Sequence, residues 1–217
     1  MRNIFITTIL LLTIMTTAPA QAQAQDNSDT RTKVEITTSF GKMTLELYNE
    51  TPIHRDNFIK LVKEGFFNES DFHRIIKGFM IQGGGLNGGM SDAGYTLEAE
   101  IVPGMMHKRG AFAAARKGDA MNPEKRSSGS QFYIVDGRTY SPQELEMLEK
   151  RMGKPFTAEQ KEIYSTVGGA PHLDGEYTIF GELIDGFDVM DKIAAVKTSS
   201  RGNKPLETIN MTVKIVD

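Results

Sequence analysis

The chain has 217 residues, of which 39% are apolar and 24% charged, with a net charge of −3 and no cysteine. That composition belongs to a globular domain and excludes a long disordered chain or a polytopic membrane protein. A weakly acidic balance leaves no footprint for nucleic acid. Zero cysteine excludes disulfide scaffolds, thiolate metal sites and cysteine nucleophiles.

Met1-Arg2-Asn3 carries one positive charge, and Ile4 to Met15 is an apolar run broken only by threonine. Ala18-Pro19-Ala20-Gln21-Ala22-Gln23-Ala24 then offers Ala-x-Ala cleavage sites ending at Ala20, Ala22 or Ala24. This is the layout of a secretory signal peptide over residues 1–24. The run is shorter than the roughly 20 apolar residues of a membrane span, and no cysteine follows it to carry a lipid. Nothing after Ala24 is long and apolar enough to cross a bilayer, so the expectation is an exported, periplasmic protein. Residues 25–32 read as a polar tether, and residues 33–217 are the length of one domain.

Val34 to Thr37 alternates, Ser39 to Lys42 turns, and Met43 to Tyr48 alternates again, the pattern of an amphipathic hairpin. Thr51-Pro52 opens a helix with Phe58, Leu61 and Val62 on one face and Gly65 as its stop. Short strand-like pieces follow at Phe72–Ile76, Met80–Gln82, Gly110–Ala115, Gln131–Val135 and Tyr177–Leu183. Gly186 to Val196 reads as a second core helix and Thr208 to Val216 as a last strand. Many short strands with two core helices, in a glycine-rich chain, predict a closed barrel capped by helices, because closure removes sheet edges. Residues 136–171 break the rhythm. Ser141-Pro142-Gln143-Glu144 and Thr157-Ala158-Glu159-Gln160 each start a short helix, so this stretch reads as a helical hairpin inserted between two barrel strands.

Several motifs carry no chemistry. Gly83-Gly84-Gly85-Leu86-Asn87-Gly88 has dinucleotide-like spacing, but loop residues follow where a helix would have to open. Ser39-x-x-Lys42 sits in a hairpin turn rather than at a helix start. His54, His73, His107 and His172 show no paired ligand spacing and read as surface or packing residues; no metal site is expected.

Phe72-His73-Arg74-Ile75-Ile76-Lys77-Gly78-Phe79-Met80-Ile81-Gln82-Gly83-Gly84 is different in quality. It resembles the signature of the cyclophilin family of peptidyl-prolyl cis-trans isomerases. Ser128 to Ile134 resembles the family's second core motif, Leu173-Asp174-Gly175 with Phe180-Gly181 its third, and Thr51 to Phe58 its first helix. The resemblance covers about residues 33–135 and 171–217 with the blocks in the family's order. It implies an eight-stranded antiparallel barrel with two capping helices, and an enzyme that rotates X–Pro bonds in exported proteins and so assists their folding.

That reaction breaks amide resonance, a barrier of about 18–20 kcal/mol, and forms no covalent bond. It needs neither nucleophile, metal nor cofactor. It needs an apolar slot for the prolyl ring and a fixed donor for the prolyl nitrogen, whose lone pair localises as the amide twists. The resemblance implies that Arg74 is the donor and that Gln82 orients it. It places Phe79, Met80, Tyr133 and Leu173 around the ring, and Gln131, Ala115 and Arg116 along the extended substrate. Arg116 replaces an asparagine of the family. Tyr177 replaces a pocket histidine, Tyr133 a phenylalanine, and His172 the tryptophan with which many eukaryotic members contact cyclosporin. Altered sequence preference and weak sensitivity to that drug are therefore expected. The implied partners are proline-containing polypeptides met by a monomer. On the same fold the alternative is a non-catalytic proline-peptide binding module or holdase, which would have no mechanistic need for Arg74. The insertion leads back to Leu173 at the pocket rim, where it is placed to gate access or dock a partner, the alternative being a solvated helical hairpin without function.

Overall fold

The computed structural model describes residues 30–216; the expected signal peptide and residues 25–29 of the tether lie outside them. Strand β1 (Lys33–Thr38) pairs antiparallel with β2 (Gly41–Leu47), from Lys33 opposite Glu46 to Thr38 opposite Gly41. Their period-two pattern turns Val34, Ile36, Met43, Leu45 and Leu47 to one side, where all are fully buried. The end of the expected tether belongs to the fold. Arg31 bonds Glu46 at 3.2 Å and Glu50 at 2.7 Å, and its guanidinium lies 4.4 Å above the Tyr48 ring.

Helix α1 (Pro52–Lys63) begins where the proline predicts, yet the Thr51 side chain makes no capping bond. The cap comes from far along the chain. Glu100 accepts from the Ile53 and His54 backbone N–H groups at 3.0 and 2.9 Å and from His54 Nδ1 at 2.6 Å. A carboxylate here satisfies orphan donors and meets the positive end of the helix dipole, in a first turn that has no acid of its own.

The remaining strands are β3 (Asp71–Ile76), β4 (Met80–Gly85), β5 (Thr96–Leu97), β6 (Ala111–Ala114), β7 (Ser127–Ser128), β8 (Phe132–Val135), β9 (Ile179–Asp185) and β10 (Thr212–Val216). Eight form one antiparallel sheet in the order β10-β1-β2-β9-β6-β8-β4-β3. This corrects the expected closed barrel: the sheet is a curled half-barrel with β10 and β3 as its edges. The edges meet through an Asp71–Asn210 bridge and two bonds, Phe72 N to Ile209 O and Met211 N to Ser70 O, and not through a ladder. The β5–β7 ribbon was not predicted, because two-residue strands carry no readable period.

Inside the curl, Phe58 of α1 meets Phe67, Phe112, Phe132 and Phe180 with ring centroids 4.7–5.8 Å apart. Helix α4 (Phe187–Ala194) adds Val189, Met190, Ile193 and Ala194 to the same core. Each of these phenylalanine, valine, methionine and isoleucine side chains contributes about 1.5–3 kcal/mol by leaving water. Strands β6 and β8, sequences AFAA and FYIV, are buried on both faces. Phe112, Phe132 and Ile134 point into the curl; Ala111, Ala113, Tyr133 and Val135 point outward into a second apolar cluster with Met80, Leu173 and Ile179.

Two helices lie between β8 and β9. Helices α2 (Pro142–Met152) and α3 (Ala158–Thr166) each begin with a complete capping box, Ser141 with Glu144 and Thr157 with Gln160. They bury Leu145, Phe156 and Tyr164 between them and the sheet domain. The base is pinned by bonds from Gly169 N to Arg138 O and from Ala170 N to His107 O. Among the described residues no helix is long and apolar enough to cross a membrane.

Burial holds His54 below its usual pKa, outweighing the carboxylate of Glu100, and does the same to His73. Both groups therefore favour the fold while neutral. Their contribution is complete above about pH 6.5, the unfolded value, and is lost as pH falls below it, because the unfolded chain then binds more protons. Urea melts at pH 7.0 and 5.5 should show stability falling by up to about 1.4 kcal/mol per pH unit for each histidine. His54→Gln should flatten part of that slope. A wild-type stability that is flat across this window would contradict the assignment.

Candidate active site

The site begins with an interruption of β3. Phe72 lies opposite Gly83 and faces the interior; strict alternation would send Arg74 the same way. A bulge between Phe72 and Arg74 shifts the phase by one residue, so Arg74 pairs with Gln82 and Ile75 with Ile81. Ile75 and Ile81 enter the core, and Arg74 and Gln82 share the outer face. Re-aiming one side chain is a recurrent use of such bulges. The displaced residue, His73, buries its ring under the glycine-rich loop. A β-carbon on Gly89 (φ +80°), just past the run that mimics a nucleotide loop, would sit 2.3 Å from His73 Cδ2, and one on Gly85 within the run 3.2 Å from His73 Cε1, so this stretch is a close backbone approach over an imidazole.

On the outer face the polar side chains form a line. Arg74 Nη1 donates to Gln82 Oε1 at 3.1 Å, Gln82 Nε2 to Gln131 Oε1 at 3.2 Å, and Gln131 Nε2 to the Gly89 carbonyl at 3.2 Å. Arg74 is half-buried, and its guanidinium presents a planar fork of donors. Beside it Arg74, Phe79, Met80, Gln82, Ala115, Arg116, Tyr133, Leu173 and Tyr177 line one slot of about 100 Å³. A space of that size suits one small ring. The small side chains of Ala113, on the outer face of β6, and Ala115, just past its end, leave the room.

Phe79 is fixed from behind. The buried Asp136 accepts from Gly78 N at 2.6 Å and from Arg109 Nη1 at 3.0 Å. The Asp136 and Gly137 backbone N–H groups bond the Phe79 carbonyl. Asp136 was not singled out in the sequence, where nothing but its place after β8 distinguishes it.

Nine of the eleven expected site residues thus meet at the slot, and two stand beside it. Gln131 lines the adjoining groove with Gln82, Ala115 and Arg116. His172 is exposed at the rim with its ring 5.3 Å from that of Phe79, and does not line the slot. Arg116 needs a correction of posture: its guanidinium does not stand free to meet a substrate. It lies 4.4 Å above the Tyr177 ring and bonds Glu176 O at 2.9 Å, Lys117 O at 3.0 Å and Asp119 Oδ1 at 2.5 Å. It braces the aromatic wall through a cation–π contact.

The two replacement tyrosines stand edge to face, 5.9 Å apart. Tyr133 is almost fully buried, and burial raises its hydroxyl pKa well above the usual value. Its partner is His107 Nε2 at 3.0 Å. His107, also fully buried, is the residue the sequence reading missed. The signal available for it was indirect: a buried phenol needs a partner.

The profile of the family described as cyclophilin type peptidyl-prolyl cis-trans isomerase/CLD matches residues 33–215. The chain belongs to this family. An Acinetobacter baylyi peptidyl-prolyl cis-trans isomerase is 33% identical over 195 residues, 86% of this chain and 87% of that protein. A Streptococcus pyogenes protein provisionally named a bifunctional phosphatase/peptidyl-prolyl cis-trans isomerase is 38% identical over 194 residues, 85% of this chain. The chain spans only 39% of that longer relative. Among solved structures, a Cryptosporidium parvum cyclophilin type isomerase superposes with a TM-score of 0.66 at 28% identity, covering 87% of this chain and 99% of that one. The same protein crystallised in the presence of the dipeptide Ala-Pro gives 0.65 at 27% identity, covering 85% and 99%. The protein is a cyclophilin-type peptidyl-prolyl cis-trans isomerase with an inserted helical hairpin.

In this cyclophilin the Tyr133 hydroxyl is paired with His107 inside the fold, so its removal is measurable. Tyr133→Phe strands His107 Nε2 in a buried setting, at a cost of about 1–3 kcal/mol. Urea melts of the two proteins read that loss directly; equal stabilities would mean that the bond does not form in solution.

Proposed function

We propose that Arg74 donates to the prolyl nitrogen of an X–Pro bond whose ring occupies the slot lined by Phe79, Met80, Tyr133 and Leu173. The observation that carries this reading is the guanidinium of Arg74, held by Gln82 at the edge of an apolar slot. In the planar amide the nitrogen lone pair is delocalised. As the bond twists, the pair localises and becomes an acceptor, so a charged donor set beside it favours the transition state over either ground state. Gln82 is the positioning residue, since its other end is anchored through Gln131. The groove past Ala115 and Gln131 takes the extended residues before proline. The Ala-Pro dipeptide present with the Cryptosporidium protein contains such a bond, which supports proline-containing chains as the substrate class here. The signal-like residues 1–24 support a further step: the enzyme is exported and acts in the periplasm on exported proteins.

Arg74→Ala removes a charge-assisted bond worth about 1.5–3 kcal/mol. At about 1.36 kcal/mol per tenfold, catalytic efficiency should fall roughly 10- to 150-fold, largely in turnover. Arg74→Lys should rescue poorly, because an ammonium lacks the planar fork. Exchange NMR on an X–Pro peptide measures this, with thermal melts as the control. Equal exchange rates at matched stability would overturn the role and favour a binding module.

Export has its own test. Intact mass of the protein recovered from its native host should place the N-terminus after Ala20, Ala22 or Ala24. A mass that retains Ile4 to Met15 would refute cleavage.

A further inference from the structure

Behind the slot lies a buried polar chain to which the roles above assign nothing. Its centre is Asp174, whose side chain is 5% exposed. Oδ1 accepts from His107 N at 2.8 Å and lies 3.0 Å from His107 Nδ1. Oδ2 lies 2.6 Å from the Tyr164 hydroxyl and 3.4 Å from Gln160 Nε2. A carboxylate only accepts, so every one of these partners must donate. In a neutral imidazole that places the proton on His107 Nδ1 and leaves Nε2 bare. Bare Nε2 in turn accepts the Tyr133 hydroxyl proton at 3.0 Å. Tyr164, from α3, is fully buried, and burial raises both tyrosine hydroxyls so that they stay protonated and able to donate.

We propose that the inserted helix α3 sets the polarity of the proline slot: Tyr164, acting through Asp174 and His107, keeps the Tyr133 hydroxyl proton turned away from the bound ring. The proposal deepens the function above and rests on the slot being the proline site. Two of the four donors to Asp174, from Tyr164 and Gln160, come from the insertion. With Tyr164 present, the carboxylate holds His107 in one tautomer, and the slot offers the ring an apolar wall. When the Tyr164 hydroxyl is lost, Oδ2 is left without its shortest donor in a buried setting. The carboxylate turns to find another, and His107 Nδ1 loses the acceptor that held its proton, so the proton can move to Nε2. Tyr133 can then no longer donate to it and must turn its own proton elsewhere. An unpaired O–H facing the slot penalises an apolar ring. Tyr164 is thus a positioning residue, and its effect belongs in affinity more than in turnover, because the wall touches ground and transition states alike.

The test is a double-mutant cycle on the full mature protein, with a short peptide containing Ala-Pro as the probe. Tyr164→Phe should weaken peptide binding, read by NMR titration, and raise KM by about 2- to 30-fold, the span for changes transmitted through a packed network. Turnover should stay within about twofold. In a Tyr133→Phe background the same change should alter affinity by less than about twofold, because the group it acts through is gone. Equal losses in the two backgrounds would overturn the proposal, as would an unchanged affinity in the first. Imidazole nitrogen shifts of the wild type give an answer that needs no variant: Nδ1 protonated and Nε2 bare supports the chain, and the opposite tautomer refutes it. If the wild type binds the peptide without isomerising it, the role of Arg74 fails while this coupling stands. If it binds no peptide, the slot reading fails and the coupling with it.

Discussion

The site depends on one phase shift in one strand. Without the bulge at His73, β3 would carry Phe72, Arg74 and Ile76 on a single face, and a guanidinium would be driven into a core built from Phe72, Phe112 and Phe132. Burying that charge unpaired would cost several kcal/mol. The bulge instead delivers aromatic residue, arginine and isoleucine each to a suitable environment. It brings Arg74 opposite Gln82, from which the line of glutamines follows. The displaced His73 ring then requires backbone without side chains above it, and the glycines of the loop after β4 supply that. Signature, bulge and glycine run are one solution to one steric problem.

Much of this was legible in the chain. Period-two alternation located β1 and β2 because one of their faces is buried and the other wet. Pro52, Pro142 and the two capping boxes located three helices, because those residues solve the chemistry of a helix start wherever they occur. The slot residues were legible through family resemblance, since their types alone, two tyrosines, a leucine, a methionine and some alanines, are also those of ordinary core. Three features were hidden for physical reasons. The cap of α1 comes from Glu100, 46 residues from His54, and no local pattern encodes a partner that distant. The half-barrel stays open because closure depends on the pairing of β3 with β10, decided by registers at the two ends of the domain. His107 was read as packing because its purpose exists only in relation to Tyr133 and Asp174.

The insertion illustrates how a loop acquires tertiary meaning. As sequence it is two well-capped amphipathic helices, a form that isolated hairpins on many surfaces share. As structure it contributes an apolar wedge, Leu145, Phe156 and Tyr164, whose last member carries a hydroxyl into the wall of the domain. Its ends are clamped by Arg138, His107 and Gly169, so the wedge enters at a fixed angle.

The pairing of Tyr133 with His107 has a consequence for the protein's history. A phenol in that wall is tolerable only beside an acceptor, the acceptor exists only in the tautomer that Asp174 imposes, and Asp174 is satisfied only when α3 is docked. Loss of any one member turns the others from assets into buried defects, so no member can be exchanged alone without passing through a weaker protein. The four residues, scattered from His107 to Asp174, amount to a single heritable character: a lineage that shed the hairpin would be under pressure to return the slot to phenylalanine.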